Sequence, residues 1–231
     1  MKNLNEIEKL ISGKSPEEIL ETISVLPSEK MVFSTSLSYE DQVITHMIFS
    51  RKLNIEVFTL DTGRLFSEVY SVFNSTRDRY KKEIKTFYPE TKSLEKLVST
   101  KGPNSFYESV ENRKECCHIR KVEPLKRALK GKTIWVTGIR AEHSANRTEM
   151  KNAEWDEANQ LIKVHPLLNW TFEETKAYIN KHNIPYNTLH DKGFVSIGCQ
   201  PCTRAIKAGE DFRSGRWWWE DNTKKECGLH T

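Results

Sequence analysis

The 231-residue chain lacks most of the features that would mark a membrane, secreted or nucleic-acid-binding protein. No apolar run approaches the roughly 20 residues that span a bilayer, and the opening MKNLNEIEKL has no apolar core of the signal-peptide kind. Charge of one sign is not in large excess. Lys+Arg 36 against Asp+Glu 32 leaves +4, which suits a small anionic ligand better than duplex nucleic acid. Internal repeats, low-complexity tracts and Gly/Ser linkers are absent. Cysteine is scarce, at five. The expectation is a cytoplasmic protein with neither membrane nor nucleic acid as partner. In that reducing compartment, five thiols point to metal binding or catalysis before disulfides.

The length and the 37% apolar content allow a substantial core. The first thirty residues read as helical, with Ser15-Pro16-Glu17-Glu18 in the form of a capping box. Met31 to Phe33, Ile55 to Leu60 and Ile134 to Val136 are short apolar runs ending in polar residues, as buried parallel strands do. Helix-length patterns lie between them, at Asp41 to Lys52 and Phe66 to Lys82. Another helix follows His165-Pro166-Leu167-Leu168, opened by Thr171 and Glu174. Strands alternating with helices predict an α/β fold, a mostly parallel sheet flanked by helices, with ligands beyond the carboxyl ends of the strands. The last forty residues show no periodicity and read as an irregular extension.

Three strand ends carry polar groups. Ser34 to Asp41 runs into a helix, where hydroxyls and unpartnered amides make an anion site, although an ordinary cap would look the same. Leu60-Asp61-Thr62-Gly63-Arg64 and Thr137-Gly138-Ile139-Arg140 end the next two. Together they make Ser36, Leu60, Thr62, Gly63 and Arg140 candidate nucleotide contacts. The cysteines are more specific. Cys116 and Cys117 are adjacent, and 81 residues separate them from the Cys199-x-x-Cys202 pair. Four thiolates so gathered could hold a [4Fe–4S] cluster or zinc, and the adjacent pair favours iron–sulfur. Four small buried hydrophobes are the bland alternative. Cys227 stands outside this set, between Lys224, Lys225 and His230. It is a candidate nucleophile or an idle tail thiol. Arg204, Lys207, Arg213 and Arg216 are dense enough to clamp a doubly anionic ligand, partly neutralised by Glu210 and Asp211. Trp217-Trp218-Trp219 reads as an anchor for the extension.

At these residues the chain resembles the assimilatory adenylyl-sulfate (APS) reductases. The resemblance rests on FSTSLSYEDQV, LDTGRL, YESVENRKECCHIRKVEPLKRAL, WVTGIRAEHS, GCQPCTRAIKAGEDFRSGRWWWE and ECGLH. It implies an adenine-nucleotide α-hydrolase-like (PP-loop) fold, with a helical segment at 1–29, a nucleotide-binding domain at 30–198 and an extension at 199–231, one structural domain in all. It also implies a [4Fe–4S] cluster on Cys116, Cys117, Cys199 and Cys202, and attack by Cys227 on the sulfur of APS. AMP leaves, a Cys–S-sulfonate remains, and thioredoxin releases sulfite. Lys121 would lie between cluster and substrate, and Arg140, Arg213, Arg216 and His230 would contact the anion. Homo-oligomerisation is compatible with this pattern.

Two positions depart from the family. Ser38 stands where glycine is usual, and Ala141 where a second arginine is usual. Three rival readings remain: a phosphoadenylyl-sulfate (PAPS) or dual-substrate reductase, a PP-loop tRNA-thiolating enzyme, and a non-catalytic zinc or cluster module. The thiolating enzyme would need a Ser-Gly-Gly-x-Asp-Ser loop, which Ser34 to Asp41 does not supply. The binding module would need a basic helix, and none is seen.

Overall fold

The computed structural model describes residues 3–27, 29–143, 150–207 and 209–220. Two short helices come first, α1 (Leu4–Ile11) and α2 (Pro16–Ser24). Asn3 and Ser15 cap them in reciprocal boxes with Glu6 and Glu18, and the Ser15 box is the one read from sequence. Then follow β1 (Met31–Ser34), α3 (Tyr39–Ser50), β2 (Glu56–Leu60), α4 (Ser67–Tyr80) and β3 (Lys85–Phe87). Next are α5 (Thr91–Lys101), α6 (Val110–Cys117), α7 (Glu123–Leu129), β4 (Ile134–Val136), β5 (Ala153–Asp156), β6 (Leu161–Val164) and α8 (Phe172–His182). A π turn at His118–Val122 joins α6 to α7.

The six strands run in the order β3-β2-β1-β4-β6-β5. β1 pairs in parallel with β2 and β4, and β4 with β6, while β5 is antiparallel to β6. This is the mostly parallel sheet expected. The apolar runs at Met31, Ile55 and Ile134 are β1, β2 and β4. The β5–β6 hairpin was not read from the sequence: Ala153–Asp156 is half polar, and the turn at 157–160 holds no Gly or Pro. Beyond α8 the described residues hold 3₁₀ turns at Thr188–Lys192 and Gln200–Cys202, and one bridge between Thr203 and Arg216. That matches the irregular extension.

The chain divides into two compact units. The first comprises Met1–Thr59, Ser71–Lys85 and Leu129–Asn187, and the second Leu60–Tyr70, Thr86–Ala128 and Thr188–Thr231. The first unit holds the main core, in which Ile7, Ile19, Leu20, Ile23, Val43, Met47, Phe33 and Val136 are buried together. The second has a smaller core of Phe106, Cys199, Cys202 and Trp217. Gln42 on α3 is fully buried, and its amide donates to Thr76 Oγ1 at 2.8 Å and to the Pro185 carbonyl at 2.7 Å. A leucine there would strand both acceptors away from water. Gln42→Leu is therefore expected to lower the unfolding free energy by about 1–3 kcal/mol in urea titrations.

Candidate functional site

In the second unit, α6 delivers Cys116 and Cys117 to one pocket, and the turn at Gln200–Cys202 delivers Cys199 and Cys202. The same pocket is lined by Arg64, Arg113, Arg120, Lys121, Phe106 and Trp217. The π turn directly follows the two adjacent cysteines and carries Arg120 and Lys121, both buried. Its extra residue per turn re-aims the side chains that follow, as such insertions do at functional sites. Cys199 and Cys202 are buried, Cys116 and Cys117 half-buried, and none of the four is in a disulfide. Burial pushes the Cys202 thiol up to about 12, helped by the neighbouring Cys199 and opposed by Lys121 and Arg216. Burial also raises Cys116, and Arg120 opposes it.

The strand-end loop after β2 is tied to these cysteines. Asp61 Oδ1 accepts from Gly63 N at 2.8 Å, and Tyr70 O–H donates to the same carboxylate at 3.1 Å. Gly63 has φ +69, which glycine adopts without strain. Thr62 Oγ1 accepts from Arg64 N at 3.2 Å and from Cys199 Sγ at 3.3 Å. Arg120 donates to the Thr62 carbonyl at 2.5 Å, and Gln200 N donates to the Arg64 carbonyl at 2.8 Å. Arg64 itself reaches Asn104 Oδ1 at 2.8 Å and lies 4.9 Å above the Phe106 ring.

The segment after Cys202 folds back on the pocket. Thr203 bridges Arg216, and Trp217 N donates to the Cys202 carbonyl at 3.1 Å. Gly198 lets Arg216 lie close, since a Cβ there would stand 2.3 Å from its Nη2. Trp217 is buried beneath the guanidinium groups of Arg113 at 4.6 Å, Arg216 at 4.9 Å and Arg213 at 5.9 Å. Trp219 packs on Tyr107, while Trp218 stays 49% exposed, so two of the three tryptophans anchor the extension. Glu220 receives a two-pronged ion pair from Arg113, both bonds 2.9 Å, with side chains 6% and 1% exposed. Arg204 is paired with Glu210 at 2.9 Å rather than turned toward the pocket.

The first unit holds the other strand ends. Ser36 N and Oγ both donate to Asp41 Oδ2 at 2.5 Å. Asp41 is buried against Gly138, where a Cβ would meet Oδ1 at 2.1 Å. Desolvation pushes the Asp41 carboxyl from its ordinary 3.8 up to about 7, the Ser36 bonds opposing it and Glu40 adding to it. Arg140 is buried, with Nε 2.9 Å from Glu40 Oε1 and further contacts to Glu142 and the Trp170 carbonyl. Ser38 stands at the N-cap position of α3 with φ −82 and without a side-chain capping bond, so no glycine is demanded there. The left-handed residue of this loop is Leu37, at φ +62.

Of the residues singled out in the sequence, the four paired cysteines, Lys121 and the Thr62 loop meet in the second unit, with Arg213 and Arg216 packed on Trp217 beside them. Ser36 and Arg140 belong to the first unit, and Leu60 ends β2. Cys227 and His230 lie outside the described residues. Sequence reasoning passed over Asp41, Glu40, Arg113, Arg120 and Glu220. The two acids in the first turn of a buried helix, at Glu40-Asp41, were a visible signal. Arg113 and Glu220 are 107 positions apart, and nothing local marks them as a pair.

Comparison with known proteins bears on family and fold. Residues 30–205 match the phosphoadenosine phosphosulfate reductase domain. The chain is 50% identical over 202 residues to an adenosine 5'-phosphosulfate reductase of Burkholderia cepacia, covering 87% of this chain and 81% of that protein. One from Agrobacterium fabrum is 50% identical over 201 residues, with 87% and 77% covered. Among solved structures, the phosphate complex of phosphoadenylyl-sulfate reductase from Candida auris superposes with TM-score 0.73 and 28% identity, over 88% of this chain and 96% of that one. Candida glabrata FMN adenylyltransferase shares the fold at TM-score 0.56 and 16% identity, over 96% and 77%. The architecture is thus the PP-loop fold.

Two outcomes follow from the geometry. Arg113→Met should destabilise the protein by about 3–5 kcal/mol in denaturant, because it leaves the Glu220 carboxylate buried and unpaired, and Arg113→Met/Glu220→Gln should recover much of that loss. Asp41, with its folded pKa raised, keeps a proton that the unfolded chain has already released above about pH 4. Its contribution to stability should therefore fall as pH rises from 4 to 7, opposing that of His46, whose burial lowers its pKa to about 4 and whose contribution rises over the same span. Asp41→Asn should make stability climb more steeply with pH than it does in wild type, measured by urea titrations across that range.

Proposed function

The chain belongs to the phosphoadenosine phosphosulfate reductase family, and on that footing we propose that it is an adenylyl-sulfate reductase, converting APS to sulfite and AMP in assimilatory sulfate reduction. The observation that carries this reading is the pocket of four cysteines ringed by Arg64, Arg113, Arg120 and Lys121. Identity is 50% to the proteins named for APS and 28% to the structure named for PAPS, which favours APS as substrate. No described helix is long and apolar enough to cross a membrane, and a cytoplasmic setting is the accompanying proposal.

The donor set suits a [4Fe–4S] cluster. Neighbouring residues on a helix point about 100° apart, so Cys116 and Cys117 reach one group from two directions only if that group is broad. Four thiols around a volume are what a cubane needs. Cys116, Cys117, Cys199 and Cys202 would hold it, and it would supply positive charge that keeps four buried thiolates stable and fixes the extension.

The chain's own residues then provide the chemistry. Bringing a thiolate to a sulfate group sets two anions against each other, and Lys121, Arg213 and Arg216 offset that repulsion while favouring departure of the AMP phosphate. The reacting thiol is Cys227. Glu220 is held to α6 by Arg113, and Cys227 follows seven residues later, so their Cα atoms are at most about 25 Å apart. Cys227 Sγ forms a bond to sulfur as the S–O bond to AMP breaks, giving Cys227–S–SO₃⁻ and AMP. A thioredoxin dithiol then supplies two electrons: one thiolate attacks Cys227 Sγ, sulfite leaves, and the second thiol resolves the mixed disulfide. Ser36, the Leu60–Gly63 loop, Arg140 and His230 are assigned to substrate contacts.

The direct test is anaerobic protein with thioredoxin and either APS or PAPS, measuring sulfite. Wild type should prefer APS, and Cys227→Ser should fall to background. Sulfite from the serine variant at the wild-type rate would refute the nucleophile. Cys199→Ser should lose iron and colour, and a fully loaded cluster in that variant would refute the ligand set.

A further inference from the structure

One buried histidine of the first unit has no part in the reaction as derived so far. His165 is 0% exposed, one residue past the end of β6. Thr137 stands in the same place on β4, because the parallel register pairs Val136 with Val164. Thr137 N donates to the Val164 carbonyl at 3.0 Å, and Thr137 Oγ1 lies 2.7 Å from His165 Nδ1. The other ring nitrogen, Nε2, is 3.2 Å from Glu154 Oε1 on β5. A carboxylate can only accept, so it favours the proton on Nε2 and leaves Nδ1 as an acceptor. In the neutral ring with that tautomer the Thr137 hydroxyl donates to Nδ1, which turns its lone pairs toward the backbone. Ile139 N donates to that oxygen at 3.4 Å.

The bond lands on a loop with little slack. Gly138, between Thr137 and Ile139, has Asp41 against it with no room for a Cβ, and Asp41 holds both Ser36 donors. Arg140, next after Ile139, pairs with Glu40. The backbone of His165 is also clamped, its N donating to the Asn152 carbonyl at 2.8 Å and its carbonyl accepting from Asn152 Nδ2 at 2.9 Å. The ring thus stands on a fixed base and sets the orientation of one hydroxyl.

We propose that His165 is a positioning residue for substrate binding: through Thr137 it fixes the Thr137–Arg140 turn, and with it the two strand-end loops that carry Ser36 and Arg140. This rests on the reductase reading of those loops. What the turn needs from position 165 is an acceptor where Nδ1 sits, not an imidazole as such. Asparagine can place its amide oxygen there, and leucine cannot.

The test compares His165→Leu, His165→Asn, Thr137→Val and the His165→Leu/Thr137→Val double variant. Losing one buried hydrogen bond that orders a binding loop should raise KM for APS about tenfold in His165→Leu and in Thr137→Val, with kcat within about twofold. His165→Asn should stay within about threefold of wild type, and the double variant should be no worse than either single one. Amide hydrogen exchange gives a readout independent of substrate. Ile139 N–H should exchange about tenfold faster in His165→Leu and Thr137→Val but not in His165→Asn, with Val136 unchanged in all. If wild type makes no sulfite from APS, the functional reading fails and exchange at Ile139 still judges the relay. Wild-type KM and wild-type Ile139 protection in His165→Leu would overturn the proposal, as would additive effects of the two single variants. If His165→Leu does not fold, loss in Thr137→Val with retention in His165→Asn supports it, and any other pattern overturns it.

Discussion

The helix that carries Cys116 and Cys117 widens into a π turn at His118–Val122, and the second unit is arranged around what that turn presents. Two thiols and two cations, Arg120 and Lys121, reach the same pocket from one continuous stretch of backbone. The facing wall comes from Cys199 and Cys202, held by Gln200 N on the Arg64 carbonyl and by Trp217 N on the Cys202 carbonyl. Burying sulfur in this way favours the neutral thiol, as the upward shift of Cys202 shows. The surrounding guanidinium and ammonium groups work against that cost, and a cluster would offset the rest.

The extension is bound far more tightly than its composition suggests. Between Cys202 and Cys227 lie 24 residues, which as a free strand could reach almost anywhere nearby. The Thr203–Arg216 bridge, the buried Trp217 and the Arg113–Glu220 pair hold it as far as residue 220. Seven steps along the chain separate Glu220 from Cys227, the thiol proposed to react. If Cys227 is the nucleophile as proposed, so short a tether from a buried anchor would keep its effective concentration near the anchor high.

In the first unit, buried charge is organised in a different way. Asp41 and Glu40 sit side by side in the first turn of a buried helix, where two carboxylates would repel each other. Glu40 is matched by Arg140, while Asp41 takes two short bonds from Ser36 and has its carboxyl pushed toward the neutral form. Gly138 is needed there because the Asp41 side chain fills the space a Cβ would take. Arg140, proposed as a substrate contact, is paired here with Glu40 and Glu142.

The amino-acid sequence by itself determined the alternation of strands and helices, the capping boxes at Ser15 and Thr171, the pairing of four cysteines at two sites, and the residues of the strand-end loops. All of these are local: a period of two or 3.6, a cap three residues from its partner, a Cys-x-x-Cys spacing. Tertiary structure alone decided that Arg113 meets Glu220, that Thr62 contacts Cys199, that Asp41 lies against Gly138, and that His165 meets the Thr137 hydroxyl. It also decided the β5–β6 hairpin, whose connecting residues Glu157 to Gln160 hold no Gly or Pro to mark a turn. The physical reason is common to these cases. Burial makes a polar group depend on one partner in space, and that partner is set by packing between segments far apart in the chain, where no local spacing records it.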